Sequence, residues 1–218
     1  MIDELRGRID GEEFDYQTLL DCLKRYERPR DKITTLFRQN AIIRVKKGIY
    51  VFGPRYARRP FSREILANMI YGPSCISLDF ALHYHGLIPE RVEAVTSVTT
   101  GRGRRFRTPV GLFIYRPIPL CAFPVGIDQV QLEGGRSFLI AVQEKALADK
   151  IQDDRGTGTR SQDDMRRYLM ESLRIDAENL KRLRAETLST LAERYRSRKL
   201  RLLTRVVARL QEEDLHRE

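Results

Sequence analysis

Residues 29–52 read PRDKITTLFRQNAIIRVKKGIYVF. Pro29 has a fixed φ and no N–H to lose, which suits the first position of a helix. Ile33, Leu36 and Phe37 then recur at helical spacing and give one apolar face to a helix over about Arg30–Gln39. Asn40 is a reasonable stop. Ala41–Val45 reads as a strand, Lys46-Lys47-Gly48 as a turn, and Ile49–Phe52 as the return strand, ended by Gly53-Pro54.

Upstream lie two more helical patterns. Asp15 can cap a helix whose stripe is Leu19, Leu20 and Leu23, with Phe14 and Leu19 flanking the cap. Ile2, Leu5 and Ile9 repeat at helical spacing, although Gly7 opposes a helix there. The order helix, helix, helix, hairpin is that of a winged helix-turn-helix over residues 1–57.

A linker from Pro54 to Pro60 leads to a second domain, 58–218. Ser62 can cap a helix through Met69, and Ser77 a second through about His85, closed by Gly86. Strands follow over about 92–141: Val92–Thr100, Arg107–Arg116, Val125–Leu132 and Ser137–Ala141, with Gly101–Arg105 as a hairpin loop between the first two. Helices follow over about 143–213, beginning with Glu144–Gln152. Leu188, Leu191, Tyr195, Leu202, Val206 and Leu210 mark long amphipathic helices at the end. The class is α+β: a winged helix-turn-helix, then a larger α/β domain with a helical C-terminal part. Most apolar residues lie beyond residue 60, so 61–218 is expected to fold alone.

The formal net charge is +10, and it is localised. Residues 24–63 hold 13 Lys and Arg against two acids, Glu27 and Asp31, while the rest of the chain is nearly neutral. Such a segment is an electrostatic footprint for a polyanion. No apolar run approaches a membrane span, and Met1–Leu5 does not open an apolar signal region. The three cysteines, Cys22, Cys75 and Cys121, form no C-x-x-C pair. A reduced, cytoplasmic protein with no membrane contact is expected.

The 30–39 helix is fitted to the DNA major groove, with Arg30, Lys32, Thr34, Thr35, Arg38 and Gln39 available outward. Arg can bond guanine, Gln can read adenine, and Thr can touch phosphate or a thymine methyl. The wing adds Arg44, Lys46 and Lys47, placed for phosphates or a minor groove. Arg102, Arg104, Arg105 and Arg107 have no acid among them; they read either as a second phosphate clamp or as a charged tip that resists edge pairing. His83 and His85 are two apart on a helix and cannot share a metal. Asp153, Asp154, Asp163 and Asp164 flank Gly156-Thr157-Gly158-Thr159, but the ending of a phosphate-binding P-loop is lacking, so a polar loop with capping aspartates is expected. Cys75 has no His placed by sequence to activate it. The residues indicate a binding protein, not an enzyme, with no cofactor and no metal.

Four segments together resemble the antitoxin, or transcriptional regulator, of type IV abortive-infection toxin–antitoxin systems, the AbiEi family. They are Tyr16-Gln17-Thr18-Leu19 to Arg30; Arg44–Val51; Ser62–Asn68 onward through Tyr71–Leu78 to Gly86-Leu87-Ile88-Pro89-Glu90; and Ala141–Lys150. They span roughly residues 20–150, and Gln143 stands where such proteins often have Pro. The resemblance implies a winged helix-turn-helix joined to a larger α/β domain. It implies binding of double-stranded DNA at inverted repeats in the protein's own promoter, repression of that operon, and opposition to a nucleotidyltransferase-like toxin without a stable complex. The alternative is a non-catalytic interaction protein whose basic segment binds RNA or an acidic protein partner.

Overall fold

The computed structural model describes residues 1–156 and 158–215, a mixed α+β chain with two β-sheets. The N-terminal elements are α1 (Ile2–Arg8), β1 (Glu13–Asp15), α2 (Tyr16–Leu23), α3 (Pro29–Arg38), β2 (Ile42–Lys46) and β3 (Ile49–Phe52). Asp15 caps α2, accepting from the Thr18 N–H at 2.7 Å, and Pro29 opens α3. The turn between β2 and β3 needs Gly48, whose φ is +88°. Gly53 is required by a close approach: a Cβ there would lie 1.9 Å from the Asn40 carbonyl oxygen.

The first sheet has the antiparallel order β1-β3-β2. The middle strand, β3, is buried on both faces. Tyr50 and Phe52 enter a small core with Phe14, Leu19, Leu23, Ile33 and Leu36. Ile49 and Val51, joined by Val45 of β2, enter the core of the rest of the chain beside Leu66 and Ile70. Alternation of side chains along a strand thus feeds two cores at once. Removal of residues 1–60 would strip three buried aliphatic side chains from the larger core, at about 1.5–3 kcal/mol each. The larger core thus extends to three side chains that the segment 61–218 does not contain.

β1 escaped the sequence reading because three residues carry no visible period. It holds the polar seam between the two parts. Buried Glu12 pairs with Arg6 at 2.6 Å and accepts from the Arg58 N–H at 3.2 Å. Buried Glu13 pairs with Arg136 at 3.3 Å and accepts from the Ser62 N–H.

The second sheet has six strands in the order β6-β7-β5-β4-β9-β8. They are β4 (Ser74–Ile76), β5 (Val95–Thr99), β6 (Arg104–Thr108), β7 (Gly111–Pro117), β8 (Ile127–Gln131) and β9 (Ser137–Ala141). Three expectations are corrected. The strands begin at 74 and not near 92, because β4 is too short to show alternation. Gly101–Arg105 does not join a paired hairpin: β5 pairs in parallel with β7, and β6 lies outside β7. Arg107–Arg116 is not one strand but parts of two, turning at Thr108–Gly111.

Helices α4 (Arg63–Ile70), α5 (Leu78–Tyr84) and α6 (Gln143–Asp153) pack with this sheet, and α5 and α6 also pack on each other. Beyond them come α7 (Gln162–Arg167), a π-turn at Tyr168–Ser172, α8 (Ala177–Lys181), α9 (Ala185–Arg194) and α10 (Arg198–Leu215). Ser62 caps α4 as expected. Ser77 does not cap α5; Thr96 Oγ1 accepts from the Phe80 N–H instead. No helix among the described residues is long and apolar enough to cross a membrane.

The Ser77 hydroxyl is spent on a buried charge. It donates to Asp149 at 2.6 Å, Tyr195 donates to the other carboxylate oxygen at 2.5 Å, and Lys145 Nζ lies 3.5 Å away and donates to the Ala122 carbonyl. Burial raises the Asp149 pKa, against the pull of Lys145 and the two hydroxyls. Lys145→Ala should strand this carboxylate and cost about 3–5 kcal/mol in urea unfolding. The deficit should narrow as pH falls, since protonation of a group with a raised folded-state pKa favours the fold. A loss under about 1 kcal/mol would show that the pair is not a structural anchor.

Candidate nucleic-acid interface

Helix α3 presents two opposed faces. Ile33 and Leu36 are buried, and Phe37 packs its ring 5.7 Å from that of Tyr50. On the other side Arg30, Thr34 and Arg38 are exposed, and their four-residue spacing stacks them in one stripe. Gln39 is exposed just beyond the helix end, and Thr35 is half-buried.

Both threonine hydroxyls donate to carbonyls one turn back: Thr34 to Arg30 at 3.1 Å and Thr35 to Asp31 at 3.0 Å. Their hydrogens are used, so they offer a methyl group and an acceptor, not a donor, to whatever lies against the helix. Lys32 is half-buried, with its ammonium 5.2 Å from the centre of the Tyr26 ring. A shallow groove of about 430 Å³ runs between α2 and the start of α3, lined by Tyr16, Leu20, Arg28 and Arg30 and by the acids Glu27 and Asp31. Arg28, exposed at the N-cap of α3, was not singled out from sequence. The signal lay beside it, since a cation before Pro29 sits at the helix entrance.

The basic segment is less uniform than its composition. Five of its 13 cations are engaged by protein: Arg25 with Glu4, Lys46 with the Ile70 carbonyl, Arg58 with the Arg6 carbonyl, Arg59 with the Asp10 and Glu133 carbonyls, and Arg63 with the Glu93 carbonyl. Lys24, Arg28, Arg30, Lys32, Arg38, Arg44, Lys47 and Arg55 make neither an ion pair nor a side-chain hydrogen bond within the described residues. Arg30, Arg38, Arg44 and Lys47 are all exposed. α3 and the turn thus bring together most of the residues expected to bind.

Lys46 is the exception. The β2–β3 register slips between Arg44 and Lys46, so that Lys46 lies opposite Ile49. A bulge of this kind puts two successive residues on one side of the ladder. Lys46 therefore follows Val45 towards the larger core. Its ammonium donates to the Ile70 carbonyl at 2.8 Å and lies 4.5 Å from the centre of the Phe106 ring.

The remaining sequence candidates fall elsewhere. Arg102, Arg104, Arg105 and Arg107 are exposed beside the second sheet. His83 is exposed, while His85 Nε2 bonds the Ala141 carbonyl at 2.8 Å. Asp164 forms a capping box with Ser161, Asp154 accepts from the Tyr168 hydroxyl and Asp153 pairs with Arg116. Thr157 lies outside the described residues. Burial pushes the Cys75 thiol up to about 12, which leaves it without thiolate at neutral pH. No protein-family model matches the chain, and no curated protein matches it.

Lys46 and Lys47 should separate. Lys46→Ala removes a charged hydrogen bond and a ring contact, so it should lower the unfolding free energy by about 1–2 kcal/mol. Lys47→Ala should leave stability within about 0.5 kcal/mol. Equal stability losses in urea titrations would contradict the bulge-directed placement of Lys46.

Proposed function

We propose that this chain is a DNA-binding antitoxin that represses its own toxin–antitoxin operon and counters a nucleotidyltransferase-like toxin. Residues 1–57 are read as its winged helix-turn-helix, with α2 and α3 as the two helices and β2–β3 as the wing. The observation that carries the DNA reading is the exposed stripe Arg30–Thr34–Arg38, whose two arginines have no ion pair or side-chain hydrogen bond within the described residues, on a helix whose other face is buried in a core. A helix presenting cations without partners has paid their mutual repulsion for some purpose, and a polyanion relieves it. The antitoxin part rests on the sequence resemblance. On this reading the protein acts in the cytoplasm, is not an enzyme, needs no cofactor, and opposes the toxin without a stable complex.

The division of labour follows from position. Arg30 and Thr34 lie in the early turns of α3, where a recognition helix meets base edges. Arg44 and Lys47 lie on the wing, where the backbone is the partner. Arg30→Ala with Thr34→Ala should therefore relax sequence preference. Lys47→Ala should weaken all sequences about equally.

Salt dependence tests the class of partner. Eight cations make neither an ion pair nor a side-chain hydrogen bond within the described residues, two of them lying over tyrosine rings, and a single winged helix engages about five or six phosphates. The slope of log affinity against log salt should be about −0.9 per phosphate, near −5 for one copy and about double if two copies occupy an inverted repeat. A-form RNA has a narrow major groove that excludes the helix, so the matched RNA duplex should bind without sequence preference. A slope near zero, or preference for the RNA duplex, would overturn the DNA reading and favour an interaction protein that binds RNA or an acidic partner.

A further inference from the structure

A cavity of about 690 Å³ lies where the start of α5, the end of β7, α6 and the end of α9 meet. That volume falls within the range of small-molecule sites, about 300–1,000 Å³. No residue of α3 or of the wing lines it. Its walls are apolar and include Leu78, Val98, Ile118 and Pro119. Its polar groups are few and fall into two sets. Asp149 is buried and Gln152 and Tyr195 are half-buried, which marks the inner end; Arg116, Asp153 and Arg155 are exposed, which marks the mouth.

Folding alone does not require this arrangement. A buried ion pair is often no better for stability than apolar residues of the same volume. Lys145 and Asp149 nevertheless stand against the inner end, and the Asp149 carboxylate borders the cavity. Leu78, a wall residue, is held at a φ of +61°, a region that a branched side chain rarely adopts. Strain of this kind clusters at ligand sites, where the surrounding structure enforces it.

The two ends make opposite demands on a ligand. Ser77 and Tyr195 both give their hydroxyl hydrogens to Asp149. Towards the cavity the Tyr195 oxygen can therefore only accept, and so can the carboxylate. A group that meets them must bring N–H or O–H donors. At the mouth Arg116 pairs with Asp153 through Nε at 3.2 Å. Its terminal nitrogens, and the whole guanidinium of Arg155, make no ion pair or side-chain hydrogen bond within the described residues. These are charged donors in a planar fork, a match for phosphate oxygens. The apolar walls between the two ends suit a flat ring. A sugar phosphate would satisfy both ends and leave those walls uncovered.

We propose that this cavity binds a mononucleotide whose base carries an amino group. The base lies inward between the apolar walls, its amino group donates to the Tyr195 oxygen and to Asp149, and its phosphate meets Arg116 and Arg155 at the mouth. The site does not depend on the DNA reading above.

Calorimetric titration of the full chain with AMP, GMP, CMP, UMP, adenosine and inorganic phosphate tests it. At least one of AMP, GMP and CMP should bind saturably, one per chain, and about tenfold or more tighter than UMP, adenosine or phosphate, since each of these lacks one matched group. Arg116→Ala should weaken that binding about tenfold with an unchanged urea midpoint, because its pair with Asp153 is exposed. Ile118→Trp, which fills the cavity, should abolish it. Arg30→Ala with Arg38→Ala should leave it unchanged. No saturable binding by any of the three nucleotides at millimolar concentration would overturn the site. Inorganic phosphate binding as tightly would overturn the nucleotide. Loss of binding in the α3 double variant, with Arg116→Ala unaffected, would put the nucleotide on α3 and overturn the cavity as its place.

Discussion

Strand β3 has no free face. Ile49 and Val51 point into one core, Tyr50 and Phe52 into another, and both ladder edges are taken by β1 and β2. A strand buried on both sides cannot offer a binding surface through its faces. The N-terminal part then meets solvent through its helices, its turn and the exposed Arg44 of β2. That constraint leaves α3 outermost, anchored by Ile33 and Leu36 and presenting Arg30, Thr34 and Arg38. The same constraint makes the two parts of the chain share hydrophobic surface, so the helix is held on a rigid support and does not swing on a linker.

The polar seam reinforces this arrangement. Glu12 and Glu13 are buried where the parts meet, and each is answered by an arginine and a backbone N–H. Arg6 also lies 4.0 Å from the centre of the Phe52 ring. Removing one partner from such a pair leaves a buried charge exposed to its full desolvation cost. The linker arginines Arg58 and Arg59 are bound to backbone carbonyls in the same region. Positive charge in the basic segment thus has two uses. Part of it fastens the chain together, and the part left over faces outward.

Much of this was legible in the sequence. The four-residue run Ile49–Phe52 is apolar throughout, the pattern of a strand buried on both faces, and the caps at Asp15, Pro29 and Ser62 mark helices at their observed starts. What was hidden had physical reasons. β1 and β4 have three residues each, too few for a period. The bulge at Val45 shifts Lys46 by one position, and a one-residue slip reverses the face of a side chain. Ser77 looked like a helix cap because capping is local, but its hydroxyl answers Asp149, which is distant in sequence and met only in the folded chain. The arginines around β6 were visible as a cluster, but not that Phe106 meets Lys46 while Arg105 and Arg107 take the other face of the strand.

Hydrogen exchange of the full chain, with and without saturating duplex DNA, tests the central claim most directly, because it reports protection residue by residue on the timescale of local opening. Added protection is expected over residues 29–39 and the turn at 46–48, with β3 already slow and unchanged. Protection confined to α9 and α10, or none anywhere on the N-terminal part, would contradict the account.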